Sequence, residues 1–163
     1  MYQESFMLRA IEISAGALTT PGTEPFGAVV VKDGRIVGEG LNRSVLKSDP
    51  TSHGETEAIR DACRNLETLD LRGCELYTSC EPCALCVAAM EIAGISQLYY
   101  ATSLEHASAA IGELPASVRH PIDSKRLQSE CGKSIGDRSM PSHQALSSEA
   151  AQILNAWAQQ ANT

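Results

Sequence analysis

Thr78-Ser79-Cys80-Glu81-Pro82-Cys83-Ala84-Leu85-Cys86, read together with Thr51-Ser52-His53-Gly54-Glu55, decides the reading of this chain. The first stretch places two thiols three residues apart behind a proline; the second places an imidazole and a carboxylate two residues apart. Proline lacks an N–H and has a helical φ, so Pro82 is expected in the first turn of a helix that runs to Ala93 and stops at Gly94. Cys83 and Cys86 then share one helix face, close enough to grip a single ion. Free N–H groups at the helix start favour thiolates, which are better metal ligands. Two sulfurs and one imidazole, from His53, suit Zn²⁺. Three protein ligands leave a fourth position for water, the pattern of a catalytic zinc, and such a site brings water to ionise near neutral pH. Glu55 can reach that water without being a ligand, which is the place of a proton shuttle.

Working outward, Phe6, Leu8, Ile11, Ile13 and Leu18 recur at helical spacing, so an amphipathic helix is expected over 4–18. A Pro21-Gly22 loop follows. Phe26–Lys32 reads as a strand, Asp33-Gly34 as a hairpin turn, and Arg35–Leu41 as the returning strand. Asn42 ends it, and 43–50 reads as a polar loop. A helix is expected from Ser52 to Asn65, capped by Thr51 or Ser52, with Cys63 on its buried face. Leu76–Thr78 and Ile95–Ala101 are strands on either side of the Pro82 helix, which makes their crossover parallel. Beyond residue 102, Glu105–Ala110 and Asp123–Cys131 offer short helical turns among Pro115, Pro121, Gly132, Gly136 and Pro141. Ser147–Gln160 reads as a C-terminal helix with Ala150, Ile153, Leu154 and Trp157 on one side, Trp157 serving to pack it. The expectation is a single α/β domain over 1–163, with 102–145 as its variable segment.

Composition agrees. At 163 residues and 43% hydrophobic, the chain suits one globular core. A net charge of −7 makes a phosphate backbone a poor partner. Neither an export signal nor a membrane-length apolar run is visible, so a cytoplasmic protein is expected. There, six cysteines point to metal binding rather than disulfides.

Together, Pro25-Phe26-Gly27-Ala28-Val29, Gly40-Leu41-Asn42, the 49–55 stretch and the 77–86 stretch resemble the cytidine deaminase-like superfamily, in its free-base and tRNA deaminase branch. The resemblance covers about residues 1–102. It implies a three-layer α/β/α fold around a mixed five-stranded sheet, and a homodimer. It implies His53, Cys83 and Cys86 as zinc ligands, Glu55 as general acid/base, Asn42 as a hydrogen-bonding partner of the substrate ring, and Phe26 as the residue that packs on the base. The implied reaction is hydrolytic deamination of an amino-bearing nucleobase, with Glu55 moving protons between water, ring and leaving amine. Within the branch the look is nearest to the bacterial guanine deaminases, with guanine going to xanthine. Cytosine, isocytosine, a pterin, a triazine or tRNA adenosine are the alternative substrates. Gly54 stands where guanine and tRNA enzymes have Ala. The acidic pair of guanine deaminases is reduced to Glu113, and no aromatic residue closes the tail.

Other readings stay open at this level. Cys80 can complete a Cys₃His structural zinc and make the chain a binding module, a site with no use for Glu55 or Asn42. A non-catalytic scaffold on a degenerate deaminase fold is disfavoured by the filled catalytic positions. Glu57 reads as a plain helix residue or a support to His53. Glu113 and Asp123 are the acidic candidates for a substrate contact. Cys63, Cys74 and Cys131 read as incidental thiols, and His106, His120 and His143 as surface residues.

Overall fold

A computed structural model describes residues 1–115, 118–119 and 122–161. They form two compact units, Met1–Gln128 and Ser129–Thr163. In the first, helix α1 (Glu4–Ala15) leads to strands β1 (Glu24–Lys32) and β2 (Arg35–Asn42), a one-turn α2 (Ser44–Lys47) and α3 (Gly54–Leu66). Then come β3 (Glu75–Cys80), α4 (Ala84–Ala93), β4 (Gln97–Thr102), α5 (Leu104–Ile111) and α6 (Ser124–Cys131). The second unit carries α7 (Ser147–Ala161).

The sheet order is β2-β1-β3-β4. β1 pairs antiparallel with β2 and β3, and β3 pairs parallel with β4 across the α4 connection. The mixed sheet is as expected, but it has four strands among the described residues, not five. After β4 the chain turns helical instead: Ser103 caps α5 by accepting from the His106 N–H (3.1 Å), and Ala107, Ala109 and Ala110 favour helix. Asp33 and Gly34 both adopt positive φ (51° and 72°), as a tight hairpin requires.

β1 is apolar without alternation because both of its faces are covered. Val30 and Ala28 join Ala58, Ile59 and Ala62 of α3 and Met90 and Ala93 of α4. Val29 and Val31 join Met7 and Ala10 of α1 and Tyr77 of β3 on the other face. Each fully buried valine contributes roughly 1.5–3 kcal/mol. The layers are therefore helix, sheet, helix.

α3 lies unusually near the sheet. A Cβ added to Gly40 of β2 would fall onto the Gly54 carbonyl oxygen and the Ala58 nitrogen, and one added to Gly54 would lie 2.5 Å from the Phe26 carbonyl oxygen. Gly54 thus stands between His53 and Glu55 because backbone meets backbone there.

Several expected boundaries shift. α3 starts two residues late, since His53 is its N-cap and its N–H donates to Thr56 Oγ1 (3.0 Å). α4 is capped by Cys83, so Pro82 precedes the helix rather than sitting in its first turn; Gly94 ends it at φ 80°. The 43–50 loop contains α2. α7 spans the expected stretch, but Trp157 is 69% exposed and Ile153 and Leu154 are exposed with it, so they form no core. Cys74 is buried, Cys63 half-buried and Cys131 exposed. His106 and His143 are exposed; His120 lies outside the described residues. No helix among those residues is long and apolar enough to cross a membrane.

Candidate active site

Two helix starts and two strand ends build the site. His53 caps α3, with Glu55 in that helix's first turn; Cys83 caps α4, with Cys86 one turn on. Because β1 lies between β2 and β3 and parallel crossovers return helices to one face, both caps open at the same edge of the sheet. His53 Nδ1 is 3.6 Å from Cys83 Sγ and 3.4 Å from Cys86 Sγ, and the two sulfurs are 3.8 Å apart. A tetrahedral zinc with bonds of about 2.3 Å to sulfur and 2.0–2.1 Å to nitrogen needs edges of about 3.8 and 3.6 Å. The three donors therefore already stand at zinc spacing and can hold the ion. Without metal, the hydrogen bond with Cys86 pulls the Cys83 thiol down to about 4, and the same bond, with burial, drives Cys86 up.

Glu55 is 5% exposed. Burial pushes its carboxyl above the usual range. Cys80 stands apart from the donor cluster. Its thiol points to the Ser103 carbonyl oxygen (3.9 Å), and burial pushes it up to about 11. A closed Cys₃His centre is not what these residues form.

The donors open on a cleft of about 1100 Å³. Asn42, Phe26 and Glu113 all line it. Asn42 Oδ1 accepts from Ser44 N–H (3.0 Å) and Ser44 Oγ (2.5 Å), which leaves Nδ2 as its donor. One face of the Phe26 ring lies 5.8 Å from the Arg119 guanidinium carbon. Glu113 is exposed at the rim, and Asp123, also at the cleft, accepts from the Arg126 N–H to start α6. Glu57 supports the site from behind: its carboxylate accepts from Ser52 Oγ (3.0 Å), Arg60 (2.7 Å) and Lys47 (2.5 Å), tying α2 and the 48–53 loop to α3.

Sequence reasoning missed Glu24, Glu81 and Arg119. Glu24 and Arg119 form an ion pair (2.9 Å) at the cleft across 95 residues of chain. Glu81 accepts from the Leu104 N–H (3.0 Å) and fixes the start of α5. Only Glu81, inside the thiol stretch, carried any local signal.

Residues 1–102 match the family model described as the cytidine and deoxycytidylate deaminase zinc-binding region. The chain belongs to this deaminase family. It is 36% identical over 162 residues to guanine deaminase of Bacillus subtilis (strain 168), covering 99% of this chain and 97% of that protein. The X-ray structure of guanine deaminase from Bacillus subtilis superposes with a TM-score of 0.83 at 34% identity, covering 98% of this chain and 95% of that one. A tRNA-specific adenosine deaminase of Haemophilus influenzae is 38% identical over 112 residues, 68% of this chain and 64% of that protein. A solved complex with 2,6-diaminopurine superposes at a TM-score of 0.62 and 31% identity, covering 67% and 60%. Zinc is the metal of this deaminase family, and the donor set above fits it.

Proposed function

We propose that this deaminase converts guanine and water to xanthine and ammonia, the whole chain acting as one catalytic unit. The observation that carries the reading is the zinc-spaced triad with buried Glu55 beside it, at a cleft with ample room for a nucleobase. Likeness to a guanine deaminase along nearly the full chain supports the choice of ring. Bound by His53, Cys83 and Cys86, zinc supplies the acidity that makes water a nucleophile near neutral pH. Glu55 takes the proton from the attacking water and gives it to the ring nitrogen beside the amino-bearing carbon; it then takes the remaining proton of the added hydroxyl and gives it to the departing amine, so that the carbonyl forms as ammonia leaves. Asn42 Nδ2 donates to a ring acceptor, Phe26 packs on the base, and Glu113 offers a carboxylate at the rim.

A tRNA substrate fits less well. Glu24, Glu81, Glu105, Glu113 and Asp123 outnumber Arg119 and Lys125 around the cleft, and the net charge is −7. We further infer a cytoplasmic homodimer, supported by the apolar surfaces of α4 (Val87, Ile92) and α7; sedimentation checks the stoichiometry. The activity test is ammonia release by the zinc-loaded protein from guanine, adenine, cytosine, isocytosine and a pterin, with Glu55→Ala as blank. Selective turnover of guanine is expected; selective turnover of another ring overturns the substrate assignment.

A further inference from the structure

We propose that Glu24 and Arg119 form the element that reads the lactam edge of the substrate, its ring N–H beside a ring carbonyl; this rests on the nucleobase reading above. Glu24 is 6% exposed, at the start of β1 and two residues from Phe26, and it lines the cleft with His53 and Glu55. One of its oxygens, Oε2, accepts from Arg119 Nε. Arg119 Nη1 donates to the Ile111 carbonyl (3.4 Å), and its guanidinium lies over Phe26. Among the described residues, Glu24 Oε1 and Arg119 Nη2 have no protein partner, although both residues line the cleft.

No buried side-chain oxygen or nitrogen among the described residues lacks a partner, so Glu24 Oε1 is open to the cleft, where a ligand N–H can take the place of water and a ligand that offers no donor would cover it unpaired. Side by side, the pair shows an acceptor and a donor. A lactam shows the complementary donor and acceptor, whereas a ring with an amino group at that carbon and a bare nitrogen beside it shows the reverse. The site would then reject the reverse pattern through unmatched buried groups, the strong form of polar discrimination. Arg119 is a positioning residue: its Nε bond to Oε2 fixes the Glu24 carboxylate while its guanidinium lies over the Phe26 ring.

Calorimetry of the zinc-loaded protein with hypoxanthine, which has the lactam, and adenine, which has the reverse pattern, tests this without turnover. Wild type should bind hypoxanthine at least tenfold more tightly. Glu24→Gln should collapse that ratio, while Glu24→Asp, which keeps the charge, should retain part of it. Arg119→Lys should lose less of the ratio than Arg119→Met. Equal binding of both rings by wild type overturns the proposal. So does a Glu24→Gln protein that keeps the ratio, or one that weakens both rings in parallel with a lowered Tm, as a merely structural clip would. Guanine turnover is scored separately: if another ring proves to be the substrate while the hypoxanthine preference depends on Glu24, the substrate assignment fails and the lactam reading stands.

Discussion

Gly40→Ala tests whether the site's position depends on backbone contact between α3 and the sheet. The new methyl would meet the Gly54 carbonyl oxygen, the Ala58 nitrogen and, at 2.9 Å, the Glu57 Cβ. Carbon atoms settle at about 3.5 Å or more, so the Glu57 side chain alone demands a retreat of about 0.6 Å, and the backbone atoms demand more. A flexible side-chain tip can yield cheaply, but here the obstacles are the first turns of α3. The helix start must lift, at a cost of about 1–3 kcal/mol, a large part of a typical domain's stability of about 5–15 kcal/mol. His53 and Glu55 move with it, while Cys83 and Cys86 on α4 stay. A misplacement near 1 Å costs catalysis on the order of 10²-fold, so kcat should fall about 10- to 100-fold. Urea unfolding and steady-state ammonia release, with zinc content by atomic absorption, give the three readouts. Gly132→Ala, where a Cβ meets nothing within 4 Å, is the control and should stay within about 0.5 kcal/mol. If Gly40→Ala matches the control in both stability and kcat, the close packing argument is wrong.

Glu55→Gln should keep zinc and lower kcat by about 10²–10⁴-fold, the range for a lost proton-transfer group; more than a tenth of wild-type turnover removes Glu55 from that role. Cys86→Ser should lose zinc, whereas Cys80→Ser, outside the donor cluster, should hold it stoichiometrically; metal analysis after dialysis decides. Chelation should lower Tm, because metal bound only to the folded state stabilises it; a scan unchanged by chelator contradicts this. Burial raises the Glu57 carboxyl, but hydrogen bonds from Lys47, Arg60 and Ser52 outweigh it and hold the group below 4.5. Its contribution is therefore full above that value and lost as pH falls through the lowered pKa. Glu57→Gln should cost about 1 kcal/mol at pH 7 and progressively less as pH falls, measured by denaturation over a pH series.

The zinc site was legible because its information is local. Residue types and short spacings name a metal, and helix caps place the donors without knowledge of the rest of the fold. The same held for the Asp33-Gly34 turn and the valine run of β1. What escaped was what local patterns do not carry. Glu24 reads as a polar loop residue until Arg119, far along the chain, is set beside it. Periodicity gives α7 an apolar side but not what lies against it, so packing is expected of Trp157, which stands exposed instead. The fifth strand was carried by resemblance alone; the alanines after Ser103 argue for helix, and helix is what forms. Gly54 looked like a departure from pattern until the Phe26 carbonyl explained it.

The crowding of Gly40 and Gly54 separates what this molecule can vary from what it cannot. The reacting groups are fixed by main chain against main chain, where no exchange of side chains offers a gradual adjustment. Much of the opposite wall of the cleft, including Leu104, Glu113, Arg119 and Gln128, comes from one consecutive stretch of the same unit. That stretch amounts to a replaceable cassette. Grafting the corresponding stretch of a relative should change the preference among rings through Glu113 and Arg119, with Glu24, Phe26 and Asn42 retained, while the hydrolytic step continues unchanged beneath it.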